Sequence, residues 1–162
     1  MNNQENSEFT VIIDTREQQP WEFPYHSIAN RKLDTGDYSI EGLEHLLCIE
    51  RKKGIAEIAN NITEKRFKDV IERMSGYKYA FILIECDYDQ LMNYPIGSDV
   101  PQKLWKNIKI QPAYILKYLV ELQMYYGIHV IFCGCPSWAE KTAMSIMKRV
   151  HTKHAKDQQK DI

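Results

Sequence analysis

Glu50 and Lys52 follow directly on an apolar run, Leu46, Leu47, Cys48 and Ile49. Such a run belongs in a core, where the charges of Glu50, Arg51, Lys52 and Lys53 are costly unless they pair or bind a metal. Residues two apart on a strand share a face, so Glu50 and Lys52 project together while Arg51 points away. Asp37, after Gly36, lies on the preceding strand, and Asp14 ends another apolar strand, so three carboxylates can converge where strand ends meet. Three acids in one place repel unless a cation joins them. A few oxygen ligands, with room left for water and phosphate oxygens, suit Mg²⁺ or Mn²⁺. A metal so held polarises a phosphodiester and acidifies a bound water, while a nearby lysine steadies the developing charge. The chemistry implied is metal-assisted hydrolysis.

The elements that must position these groups are legible from periodicity. Phe9 to Ile13 is an apolar, β-branched strand that delivers Asp14, Arg16 and Glu17 to its end. A polar loop, "QQPWEFPYHSIANR", follows. "KLDTGDYSI" and "EGLEHLLCIERK" then read as two strands of a hairpin. From Ile55 to Met74 apolar residues recur at helical spacing, with Gly76 as the stop. "YAFILIEC" is a buried strand, "DYDQLMNY" a short helix, and Pro101 to Gln111 a loop or short helix. Pro112 opens a helix closed by Gly127. "IHVIFC" is the last strand, and the final helix starts with Ser137 and Glu140 at capping-box spacing and runs to about His151. The alternation predicts an α/β fold, a central mixed β-sheet flanked by helices. Residues 9–152 form one domain, between a tail at 1–8 and a polar tail at 153–162.

A chain of 162 residues has room for one ordinary domain. It contains no apolar stretch of the roughly 20 residues that span a bilayer and starts with a polar segment, so the expectation is a cytoplasmic protein without membrane contact. The cysteines Cys48, Cys86, Cys133 and Cys135 sit mostly in apolar runs and read as buried thiols rather than a zinc site. Charge is unevenly spread. Residues 1–100 hold 18 acids against 11 Lys and Arg, whereas 101–162 hold 4 acids against 10. Val100 to Val120, with Lys103, Lys106, Lys109 and Lys117, has no acid, and neither has Lys141 to Lys156. Such stretches could line a phosphate backbone or be solvated helix faces. Trp21, Trp105 and Trp138 are candidates for stacking on unpaired bases, although packing is the commoner fate of tryptophan.

Taken singly, Asp37 also reads as a turn residue and Glu50 with Lys52 as a surface ion pair. In order, however, "VIIDTRE", "GDYSI", "CIERK" and "FILIE" resemble the nuclease domain of the XPF family of structure-specific DNA endonucleases. The resemblance implies a restriction-endonuclease-like fold, with Asp14, Asp37 and Glu50 as metal-binding acids, Lys52 as the catalytic lysine, and Arg16, Glu17 and Arg51 as support. The family's last acid falls where this chain has Ala56, so Glu57, one place later, is a possible replacement ligand. DNA contacts are expected at Lys53, Lys65, Arg66, Lys103, Lys106 and Lys109. The implied activity is Mg²⁺- or Mn²⁺-dependent cleavage of branched or single-strand/duplex junction DNA. A less selective or resolvase-like nuclease, or a non-catalytic DNA-binding subunit, is the alternative. Members of the family commonly carry a tandem helix-hairpin-helix module after the nuclease domain, and the expectation here is a stand-alone nuclease domain, with an additional DNA-targeting subunit as a candidate partner. A homodimer is also expected, because Pro112 to Tyr126 is more apolar than one buried stripe requires, with Ile115, Leu119, Leu122 and Tyr126 at the interface.

Overall fold

A computed structural model describes residues 8–158. The strands are β1 (Thr10–Asp14), β2 (Ser27–Arg31), β3 (Tyr38–Ile40), β4 (Leu47–Lys52), β5 (Tyr79–Ile84) and β6 (His129–Phe132). They form one sheet in the order β2-β1-β3-β4-β5-β6. β3 is antiparallel to both β1 and β4, while β4, β5 and β6 are parallel. The strands β1, β4, β5 and β6 therefore end at one edge of the sheet, where β3 begins. That edge carries Asp14, Asp37 and the Glu50–Lys52 segment.

Helices α1 (Ile55–Ile62), α2 (Lys65–Met74), α3 (Tyr88–Met92) and α4 (Pro112–Tyr126) cover one face of the sheet, and α5 (Pro136–Gln158) lies on the other. Strand alternation divides the core between them. Ala80, Ile82 and Ile84 of β5 pack with Ile58, Phe67, Ile71, Ile115 and Leu119, whereas Leu83 packs with Trp21, Phe23, Ala139, Ala143 and Met147. The predicted mixed sheet flanked by helices is the architecture observed. No described helix is long and apolar enough to cross a membrane.

Four expectations need correction. The segment read as a loop contains β2, an exposed strand paired with β1 alone; lacking apolar alternation, it has no signature other than the partner it finds. The helical stretch from Ile55 to Met74 is two helices. Thr63 caps the first, its hydroxyl and amide both returning to the Asn60 carbonyl, and Glu64 is extended with φ −93° and ψ 124°. The last helix starts at Pro136 rather than at a Ser137 cap and runs on to Gln158, past the expected end at about His151. Finally, Ile115, Leu119 and Leu122 are buried in the chain's own core, and Tyr126 is half-buried against it. These residues are therefore not the outward surface that pairing would need.

Candidate active site

Local sequence explains how the acids reach the sheet edge. Gly36 adopts φ +87°, and a Cβ there would stand 2.7 Å from Cys48 Sγ, so the turn before β3 admits only glycine without strain. Asp37 follows. Its N–H donates to the Ile49 carbonyl at 2.8 Å, its own carbonyl accepts from the Asp14 N–H at 2.9 Å, and its Oδ2 accepts the Arg51 N–H at 2.8 Å. One residue thus ties the ends of β1, β3 and β4 together.

The period of β4 then sorts the charges. Glu50 and Lys52 face α1 and α2, on the side of Cys48, while Arg51 faces the opposite layer with Leu47 and Ile49. Lys52 is only 5% exposed. Its Nζ lies 3.1 Å from Glu50 Oε1, 3.6 Å from Glu57 Oε1 and 4.6 Å from the centroid of the Phe67 ring. Glu57 also accepts the Lys53 N–H at 2.8 Å, so the shifted acid does join the site, through the lysine. Ala56, at the family's position, packs against the core instead.

Electrostatics separates the three acids. Burial, and then the charge of Glu50, pushes the Asp37 carboxyl from its ordinary 3.8 up to about 8. Burial also raises Glu50, against the pull of Lys52. Asp14 goes the other way: burial would raise it, but the Arg16 guanidinium and the amides of Leu33 and Arg16 outweigh that and hold it low. Its Oδ2 takes the Arg16 N–H at 3.0 Å and Nε at 2.7 Å, and its Oδ1 takes Arg16 Nη2 at 3.1 Å and the Leu33 N–H at 2.8 Å. All four lone-pair positions are filled. The expected convergence of three carboxylates is thus incomplete. The charge of Glu50 acts on Asp37, Asp14 is turned to Arg16, and among the described residues no group of three or more His, Cys, Asp or Glu could hold a metal ion.

On the opposite layer the structure adds two residues that the sequence reading left out of the site. Glu85, buried at the end of β5, accepts both Arg51 Nε at 2.5 Å and Trp21 Nε1 at 2.7 Å. Arg51 also reaches the Gln19 carbonyl and stands 3.8 Å from Glu17, and its guanidinium carbon lies 5.1 Å from the Trp21 ring centroid. Glu85 was detectable: like Glu50, it is an acid placed directly after an apolar, strand-forming run. Trp21 carried no comparable signal. Beside these groups a cleft of about 350 Å³ is lined in part by Lys53, Glu57, Glu85 and Asp99.

Of the expected DNA contacts, Lys53 is exposed at the site, 3.3 Å from Gln19. Lys65 and Arg66 are exposed on the first turn of α2, the turn whose Phe67 underlies Lys52. Lys103, Lys106 and Lys109 are exposed on the connection between α3 and α4, the first two on a 3-10 helix, and not on the segments that carry the acids.

Comparison with known proteins places this geometry in context. The fold matches XPF from Aeropyrum pernix with a TM-score of 0.62 at 19% identity, covering 85% of this chain and 64% of that one. A second structure, XPF from Aeropyrum pernix in complex with DNA, matches with a TM-score of 0.64 at 20% identity, covering 90% of this chain and 66% of that one. The chain thus spans about two thirds of the length of these proteins. No curated protein sequence matches it. A family profile, the ERCC4 domain, matches residues 13–142, a span that contains every acid of the site together with Lys52, Arg51 and Trp21. The chain belongs to the ERCC4 domain family, with the XPF nuclease-domain fold.

Proposed function

We propose that this protein is a divalent-metal-dependent DNA endonuclease that hydrolyses phosphodiester bonds at branched or single-strand/duplex junction DNA. The observation that carries the reading is the pairing of Asp37 and Glu50 with a buried lysine, Lys52, at the open edge of an ERCC4-family sheet. Membership of the family and the existence of an XPF structure in complex with DNA support it.

Two carboxylates raised by burial, one of them also by the other's charge, are a donor set in want of a cation. Mg²⁺ is commonly held by one or two carboxylates and completes its shell with water and phosphate oxygens, so Asp37 and Glu50 fit it or Mn²⁺. When bound there, such an ion polarises the phosphodiester and supplies hydroxide at neutral pH. The chain's own residues do the rest. Lys52, fixed by Glu50, Glu57 and the Phe67 ring, presents an immobile positive charge to an attacking hydroxide or to the developing phosphorane. Arg16, half-exposed but gripped by Asp14, projects cationic charge beside Asp37 and Glu50, where a phosphate would arrive. Asp14 serves by orienting Arg16, and Arg51 serves by holding Asp37 through its amide.

Lys53, Lys65 and Arg66 are positioned to hold DNA phosphates, and a homodimer would use the outward face of α4, where Tyr114, Val120, Met124 and Tyr125 are exposed. A cleavage panel tests the reading: single-stranded, duplex, flap, fork and four-way-junction DNAs with Mg²⁺ or Mn²⁺, and with EDTA. Cutting of the branched substrates that EDTA abolishes is the expected result. Undiminished cutting in EDTA, or none with either metal, would refute it.

A further inference from the structure

The three tryptophans have different fates. Trp21 is 4% exposed and stacks on Tyr38 with ring centroids 4.4 Å apart, and Trp105 is half-buried, donating to the Val100 carbonyl at 3.0 Å. Trp138, on the first turn of α5, is 59% exposed, with Lys141 Nζ 4.8 Å from its ring centroid. Its place in the fold is specific. α5 leaves the same sheet edge at which β1 and β4 deliver the catalytic groups, and a strand spacing of about 4.8 Å puts β6 roughly 10 Å along that edge from β4. The same turn is tied to the loop that carries Arg16 and Glu17, because Glu140 Oε1 accepts the Phe23 N–H at 2.7 Å.

From Trp138 the exposed positions of α5 continue through Lys141, Lys148, Arg149 and Lys153, and no acid occurs from 141 to 156. Farther along, Arg149 and Lys153 border an apolar cleft of about 310 Å³ with Tyr79 and Phe81, and Lys153 Nζ lies 5.9 Å from the Tyr79 ring centroid. A run of cations thus lies between Trp138 at one end of α5 and the half-buried rings of Tyr79 and Phe81 at the other. A ligand that satisfies both must carry regularly spaced negative charge and free flat π faces. Duplex DNA has the charge but hides its base faces in the stack, whereas a single strand offers both. An apolar protein partner would leave the cations unanswered.

Resting on the nuclease reading above, we propose that α5 is a track for the unpaired strand of the substrate, and that Trp138 is the platform on which a base next to the cleavage edge stacks. Base–aromatic stacking is sequence-tolerant and strong enough to select unpaired from paired DNA. Trp138 would thereby supply part of the junction preference at the catalytic edge.

The test is fluorescence anisotropy in EDTA, where nothing is cut, with a labelled oligothymidylate and a blunt duplex of matched length. Trp138→Ala should weaken oligothymidylate binding about fivefold to hundredfold while duplex binding changes far less, and Trp138→Phe should keep most of the affinity. Arg149→Gln should lower the salt dependence of oligothymidylate binding, with the log–log slope falling by about 0.7. Unchanged affinity in Trp138→Ala, equal loss on both DNAs, or a loss that accompanies a halved mass in light scattering would each overturn the proposal. The binding arm stands apart from catalysis. Wild-type protein that binds through Trp138 but cuts no DNA sinks the nuclease reading alone, and protein that cuts but ignores Trp138 sinks this inference alone.

Discussion

Lys52 is the side chain on which catalysis should depend most sharply. Three neighbours hold its ammonium inside the protein, so Lys52→Ala removes a preorganised charge that water cannot replace in the same place, and turnover should fall about a hundredfold or more. Single-turnover cleavage of a flap DNA measures this; a wild-type rate would remove Lys52 from the mechanism. Asp37 makes a prediction of a different kind. Its carboxyl rises from 3.8 unfolded to about 8 folded, so between these pH values the folded state binds more protons than the unfolded one. Stability of the metal-free protein should therefore be fully present below the unfolded value and decline as pH rises toward 8. Asp37→Asn, which keeps the acceptor for the Arg51 amide, should raise the melting temperature at pH 8 and abolish metal-supported cleavage. Thermal melts of both proteins from pH 5 to pH 8 decide it; a wild-type Tm that climbs across this range would contradict the assignment.

At the scale of elements, the turn before β3 and the inner stripe of α4 are the points where packing and site meet. Gly36→Ala forces a left-handed φ on a residue whose Cβ has Cys48 Sγ 2.7 Å away, and should cost about 1–3 kcal/mol in urea unfolding while also displacing Asp37. Within α4, Leu119→Ala should cost about 2–5 kcal/mol and Met124→Ala less than about 0.5, because the first opens a cavity in the core and the second changes an exposed position. Equal costs for the two would mean that the outward face of α4 is covered in solution. The sequence places Leu119 at an interface for a physical reason: a helix apolar on several sides shows that more than one stripe is buried, but not which stripe faces its own sheet.

For the whole molecule the question is how many chains make the working unit. If the outward face of α4 pairs, light scattering at micromolar concentration should give about twice the 19.1 kDa of one chain. Met124→Glu with Tyr125→Glu should then return the monomer without loss of secondary structure, since both side chains lie outside the chain's own core. A wild-type mass of one chain would refute pairing at this concentration.

Local pattern along the chain set most of the elements and the order of the chemistry along them. Period-two and period-3.6 patterns, Pro112 and Gly127 around α4, and the alternation of Glu50, Arg51 and Lys52 are local properties, and each could be read without knowing what lay opposite. Whatever depends on a partner far along the chain was decided by the tertiary structure alone. The exposed strand β2 exists because β1 offers it a free edge. Asp14 leaves the trio of acids because the Leu33 amide and the Arg16 side chain fill its carboxylate. Glu85 and Trp21, 64 residues apart, form a hydrogen bond that no local spacing encodes. Backbone pattern is set by neighbours in sequence, but the charge state and direction of a buried side chain are set by neighbours in space.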